Sequence, residues 1–241
     1  PANDARSVAQ LMALADVQGS EGHGVFRLPQ YIRRIKAGAV REGAQLEGLK
    51  AEEADFTRIR FARARLSHAR LKGASLVDAD LSGTQLSDAD LTDADLGGAA
   101  LHDADLSRAD LAGTRLDGVR AAGFRAVGAD FSGSTGARPE LMRGALAGSN
   151  LSGASWTGAD LRSADLSGAR LDGANLSNCL LLGANLKGAS IAGLRLDGLP
   201  LARVEHDFEP VWNHARDVAG QPAARDVRDA VHGHFGEQCE D

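Results

Sequence analysis

The sequence predicts an all-β solenoid, and three observations predict it. A large apolar residue recurs at every fifth position, a small residue stands two places before it, and glycine, aspartate or asparagine stands two places after it. Neither a helix face, which returns every 3.6 residues, nor a strand face, which returns every 2, produces that period.

The large residues begin at Leu46 and include Phe56, Phe61 and then an unbroken series from Leu66 to Leu116. The register resumes at Leu141 and runs to Leu201, with Trp156 and Ile191 in place of leucine. Two places earlier sit small residues such as Ala64, Ala69, Ala74, Ala154 and Cys179. In extended backbone, residues two apart point to the same side, so each Ala-x-Leu triplet forms one short wall with a small and a large group inward. Two places after the large residue come Gly73, Gly83, Gly98 and Gly113, alternating with Asp78, Asp88, Asp93 and Asp103. These residue types tolerate positive φ or cap turns, which predicts a corner there. Walls and corners repeated without drift wind into stacked coils with a ladder of leucine and alanine inside.

Composition agrees with this reading. Among 241 residues 43% are hydrophobic but only 4% are aromatic, while glycine numbers 29, so small residues must do the packing. The absence of a long apolar run and of a signal-peptide pattern leads to an expected cytoplasmic protein with no membrane partner. Two cysteines, Cys179 and Cys239, give no disulfide framework or metal spacing. The Asn-Leu-Ser triplets at Asn150 and Asn175 read as repeat chemistry. A net charge of -6 argues against direct nucleic-acid binding.

The stretch "ADLSGTQLSDADLTDADLGGAALHDADLSRADL" resembles the pentapeptide repeat family. The resemblance covers residues 46–201 and implies a right-handed quadrilateral β-helix with four pentapeptides per coil. About eight coils then make a rod of roughly 38 Å. The expected organisation is a helical N-terminal segment at 1–43, the repeat β-helix at 44–205, and a helical C-terminal cap or tail at 206–241. Between 119 and 140 the pattern loses most large residues, carries Phe124 and Phe131, and inserts Pro139. Two readings stand for this stretch: a degenerate coil, or a projecting recognition loop carrying Phe124 and Arg125.

The ends follow another grammar. Asn3 or Asp4 can cap one N-terminal helix, and Pro29 can open a second that Gly38 stops. The segment "HGVFRLPQY" resembles the N-terminal region of malate/L-lactate dehydrogenase-like oxidoreductases. That resemblance implies an acid/base role for His23 and a substrate-carboxylate role for Arg27, here as remnants, because the repeat leaves no room for a cofactor domain. Neither catalysis nor a cofactor is expected; a remnant or fused NAD(P)H-dependent oxidoreductase segment is the alternative. In the tail, Pro210 and Pro222 can each start a helix that covers the open solenoid end or pairs it in a homodimer. His206, His214, His232, His234 and Cys239 follow no zinc spacing, so no metal is expected.

The remaining candidate is acidic. Asp78, Asp80, Asp88, Asp90, Asp93, Asp95, Asp103, Asp105 and Asp110 stand against the single cation Arg108. Turn chemistry accounts for aspartate at these positions. A coil of twenty residues would also stack Asp90, Asp110 and Asp130 into a column that attracts a cationic partner. Some pentapeptide repeat proteins resemble duplex DNA and occupy the DNA site of type II topoisomerases. The resemblance therefore implies a protein-binding scaffold, with DNA gyrase or topoisomerase IV as a possible partner.

Overall fold

The computed structural model describes residues 43–198. The predicted terminal helices, the remnants His23 and Arg27, the tail histidines and any dimer contact through a terminal cap lie outside the described residues.

From Gly43 to Gly198, every residue at the corner position has a positive φ, between 52° and 76°. The N–H three residues after each large apolar residue donates back to its carbonyl, as Ala64 does to Phe61 at 2.8 Å. This bond, with positive φ confined to the third turn residue, defines a type II turn. Turns leave one outward residue per pentad in extended conformation. That residue bridges, in parallel, the residue twenty positions on: Arg70 to Asp90, Asp90 to Asp110, Asp110 to Asp130. Each bridge is closed by a bond on either side; Leu71 N–H donates to the Asp90 carbonyl at 2.7 Å and Asp90 N–H to the Ala69 carbonyl at 2.9 Å. Twenty residues divided among five-residue sides give four walls and four corners per coil.

The β-structure consists mostly of single bridges, because a corner interrupts the backbone before a strand can lengthen. Among the described residues only β1 (Thr135–Ala137) and β2 (Ser155–Thr157), paired in parallel with Gly136 opposite Trp156, extend to three residues. Pro139 explains the exception. It stands where another residue would donate the turn-closing N–H, so the Gly136–Pro139 corner keeps its positive φ at Arg138 without that bond.

The interior is the predicted ladder of buried leucine and alanine. Four buried hydroxyls share the small-residue positions and are all bonded to carbonyls: Thr84 to Phe61, Thr114 to Leu111, Ser134 to Phe131 and Ser149 to Leu146. At the N-terminal end Phe56 and Phe61 meet edge to face, 5.4 Å between centroids.

The stretch 119–140 continues the coil. Its bridges run in register on both sides, from Arg120 to Glu140 and from Arg125 to Ala145, and its corners at Gly123, Gly128 and Gly133 keep positive φ. The projecting-loop reading is corrected here: Phe124 and Phe131 are each only 2% exposed and point inward, while Arg125 stands outward on a wall. The pattern fades because large and small residues trade places. Ala121 and Ala126 occupy leucine positions and are fully buried, while Phe124 occupies an alanine position. The Phe124 ring lies over the backbone of Gly144, where no side chain interferes. One coil and one column on from Phe131, Trp156 packs edge-on against it, 5.2 Å between centroids and 87° between planes, above Gly136.

A candidate acidic interface

The ten aspartates singled out from the sequence do not form one surface. Their coil positions distribute them over all four walls and all four corners. Asp90, Asp110 and Asp130 stand in one column of the wall that reads Lys50, Arg70, Asp90, Asp110, Asp130, Asn150 and Arg170. Asp80 stands on a second wall between Arg60 and Ala100, Asp95 on a third between Ser75 and Arg115, and Asp105 on a fourth between Gln85 and Arg125. Asp78, Asp88, Asp93 and Asp103 occupy one corner each.

Wall aspartates are built into the turns. Each accepts, through Oδ1, the N–H two residues on: Thr92 to Asp90 at 3.0 Å, Ala112 to Asp110 at 3.0 Å, Ser132 to Asp130 at 2.8 Å. This short-range bond is the side-chain mimic of a turn that aspartate and asparagine favour. Asn150 and Asn175 do the same for Ser152 and Ser177, so those triplets serve the repeat. Further donors on the column also reach Oδ1, from the Thr92 hydroxyl at 2.7 Å to Asp90 and from the Asn150 amide at 3.1 Å to Asp130. On this column every one of these bonds is taken by Oδ1.

Corner aspartates behave differently. Asp88 takes a bidentate pair from Arg108, Nε to Oδ1 at 2.8 Å and Nη2 to Oδ2 at 2.6 Å. The Arg108 guanidinium holds the Asp88 carboxyl below its ordinary range, with His68 adding to the effect. Asp78, Asp93 and Asp103 lean onto the corners of the next coil, where Gly98, Gly113 and Gly123 have no Cβ to collide with them. A side chain at a corner is thus matched by glycine twenty residues later, or by a charge of opposite sign, except at Arg143, which is followed by Ser163. The signal was present in the sequence but becomes readable only once the coil length is known.

Several wall carboxyls are shifted downward. Burial raises Asp130, but the Ser132 hydroxyl and N–H and the Asn150 amide outweigh it; burial likewise raises Asp105, and the Ser107 hydroxyl and N–H outweigh it. Asp160 is lowered first by the Arg162 guanidinium, and Asp165 by the Ser167 hydroxyl and N–H. A carboxyl whose folded-state pKa lies below its unfolded value stabilises the fold above the unfolded value and loses that contribution as pH falls through the folded one. The melting temperature is therefore expected to fall steeply below about pH 4. Asp130→Asn keeps a turn acceptor but cannot titrate, so its melting temperature should fall less between neutral and acid pH. An unchanged acid limb in that variant would remove Asp130 from the account.

Among the described residues no group of histidine, cysteine, aspartate or glutamate is placed to hold a metal ion, and no helix is long and apolar enough to cross a membrane. Cys179 fills an alanine position; burial pushes its thiol up to about 11, and it donates to the Trp156 carbonyl at 3.0 Å.

No curated protein matches the chain. Among solved structures it is similar to HetL, a pentapeptide repeat protein involved in heterocyst differentiation regulation from the cyanobacterium Nostoc, at 26% identity over 71% of this chain and 93% of that one, TM-score 0.45. It is also similar to full-length QnrB1, a plasmid-mediated fluoroquinolone resistance protein, at 20% identity over 64% of this chain and 94% of that one, TM-score 0.29. A pentapeptide repeat protein of the Arabidopsis thaliana thylakoid lumen is 31% identical over 52% of this chain and 72% of that one, TM-score 0.25. The family model for pentapeptide repeats matches residues 42–76, 84–120, 145–178 and 164–198, leaving out the repacked coil around Phe124. With the five-residue turns and twenty-residue coils described above, this match makes the chain a member of the pentapeptide repeat family.

Proposed function

We propose that this protein is a non-enzymatic protein-binding scaffold whose partner is a type II topoisomerase, gyrase or topoisomerase IV, engaged at the surface that otherwise holds DNA. The observation that supports this reading is the Asp90, Asp110 and Asp130 column, three carboxylates stacked on successive coils and each fixed through Oδ1 by a turn hydrogen bond. Coils spaced about 4.8 Å apart set these charges at an interval comparable to the 3.4 Å between phosphates along a DNA strand. Preformed charge lowers the ordering cost of binding and steers a cationic partner to the wall.

A gyrase supercoiling assay, titrated with the protein with and without a fluoroquinolone, tests the reading. Inhibition or drug protection is expected, fading as salt screens the wall. Asp90→Lys with Asp110→Lys should weaken the effect by about tenfold or more. No effect at micromolar protein, or an effect that the two reversals leave intact, would overturn it.

A further inference from the structure

The cations and anions of the first coils are sorted into bands. Residues 56–77 carry Arg58, Arg60, Arg63, Arg65, Arg70 and Lys72 with no carboxylate, and residues 78–97 carry six aspartates with no lysine or arginine. The bands are consecutive coils, so each cation stands one coil from the anionic band, and Arg70 is the direct bridge partner of Asp90. On this wall the two nevertheless turn away from each other. Arg70 Nε pairs with Glu52 at 2.8 Å, and Asp90 Oδ1 takes the Thr92 N–H and hydroxyl. Between the bands an ion pair forms at a corner, Arg58 to Asp78 at 3.8 Å.

We infer that this wall is a self-complementary surface that pairs with a second copy of the chain in antiparallel orientation. Read along the coils, its first four outward residues are Lys50, Arg70, Asp90 and Asp110, and Asp130, Asn150 and Arg170 continue the wall beyond the paired stretch. A two-fold axis lying between the walls, perpendicular to the coil axis and level with the gap between Arg70 and Asp90, reverses that order in the second copy. Arg70 then faces Asp90 of the second copy and Lys50 faces its Asp110, each pair occurring twice, as a two-fold interface requires. The same operation keeps each corner beside its own kind. His68 therefore faces Asp88 at one edge, and Lys72 lies beside Asp93 at the other. No like charges meet among the wall positions from Lys50 to Asp110. The order of charges selects the occupant: a second copy presents the complementary series in reverse by construction. This inference is independent of the topoisomerase reading.

Sedimentation velocity of the full chain tests it. At low ionic strength a concentration-dependent dimer is expected, dissociating as salt rises. Arg70→Asp sets like charges opposite each other twice, as does Asp90→Arg, and each should weaken the dimer by roughly a hundredfold. An equimolar mixture of the two variants restores both pairs in a heterodimer, so regained dimer would show both variants folded and the register correct. A monomer at low salt and high protein concentration would overturn the inference. So would a dimer that survives both reversals, or a mixture that stays monomeric while circular dichroism shows each variant folded. Arg70→Asp leaves the aspartate column intact, so loss of the dimer with retained action on gyrase separates the two proposals.

Discussion

Trp156→Ala is expected to lower the unfolding free energy by about 3–5 kcal/mol, the range for aromatic-to-alanine changes in a core. Trp156 is fully buried, and a ring contact and a hydrogen bond disappear with it. Its ring packs edge to face on Phe131, a pairing worth about 0.5–1.5 kcal/mol beyond burial. Its Nε1–H donates to the Ser134 hydroxyl at 3.0 Å, and that hydroxyl donates onward to the Phe131 carbonyl at 2.7 Å. The site also lacks the means to collapse. Gly136 lies directly beneath with no side chain to move in, and the bridge ladder fixes the distance between coils. Because a solenoid is held by contacts between neighbouring coils, a cavity there weakens one joint more than the rest. Urea unfolding followed by far-ultraviolet circular dichroism should show a large loss and a broadened or split transition. Trp156→Phe, which keeps most of the volume, should retain most of the stability. A loss below about 1 kcal/mol in the alanine variant would mean that the coils do relax.

Gly144→Ala is expected to cost about 2–3 kcal/mol, near the upper range for overpacking a core. The added Cβ would fall on the Phe124 ring and come within 3.0 Å of the Leu141 carbonyl oxygen. The glycine is required here by close approach rather than by backbone conformation, since its φ is not among the positive ones. Phe124→Ala alone should cost about 3–5 kcal/mol as a cavity. The double variant should lose less than the sum of the two, by about 1–2 kcal/mol, because the methyl group then enters space the ring has vacated. Equilibrium unfolding of all four proteins gives this coupling directly. Additive losses would mean that the ring and the glycine do not share that space.

The second of these sites is also where local reading of the sequence fails, whereas Trp156 stands in register and is buried as its position predicts. Around Phe124 the five-residue pattern appears broken, yet Gly123, Gly128 and Gly133 mark each corner, and the bridges pass through without a shift. What fades is only the assignment of large and small residues to positions within a pentad. Phe124 is tolerated because of Ala121 and Ala126 beside it and Gly144 twenty residues on; that compensation is invisible until the coil length is known. The acidic run shows the same limit. Aspartates adjacent in sequence, such as Asp90 and Asp95, stand on different walls, whereas Asp90 and Asp110 are neighbours.

By itself the sequence determined the interior and the corners. Both follow from contacts within a pentad: inward alternation in extended backbone, positive φ at glycine, and carboxylate capping of the turn two residues on. The stacking of Asp90, Asp110 and Asp130 is already implied by the twenty-residue coil of the family resemblance, and the bridges bear it out; what else lies above what, the tertiary structure decided. Four turns bring the chain back over itself, and the parallel ladder then pairs residues twenty apart, so the aspartate column, the opposed charge bands and the match between an aromatic ring and a distant glycine all arise between coils rather than within them.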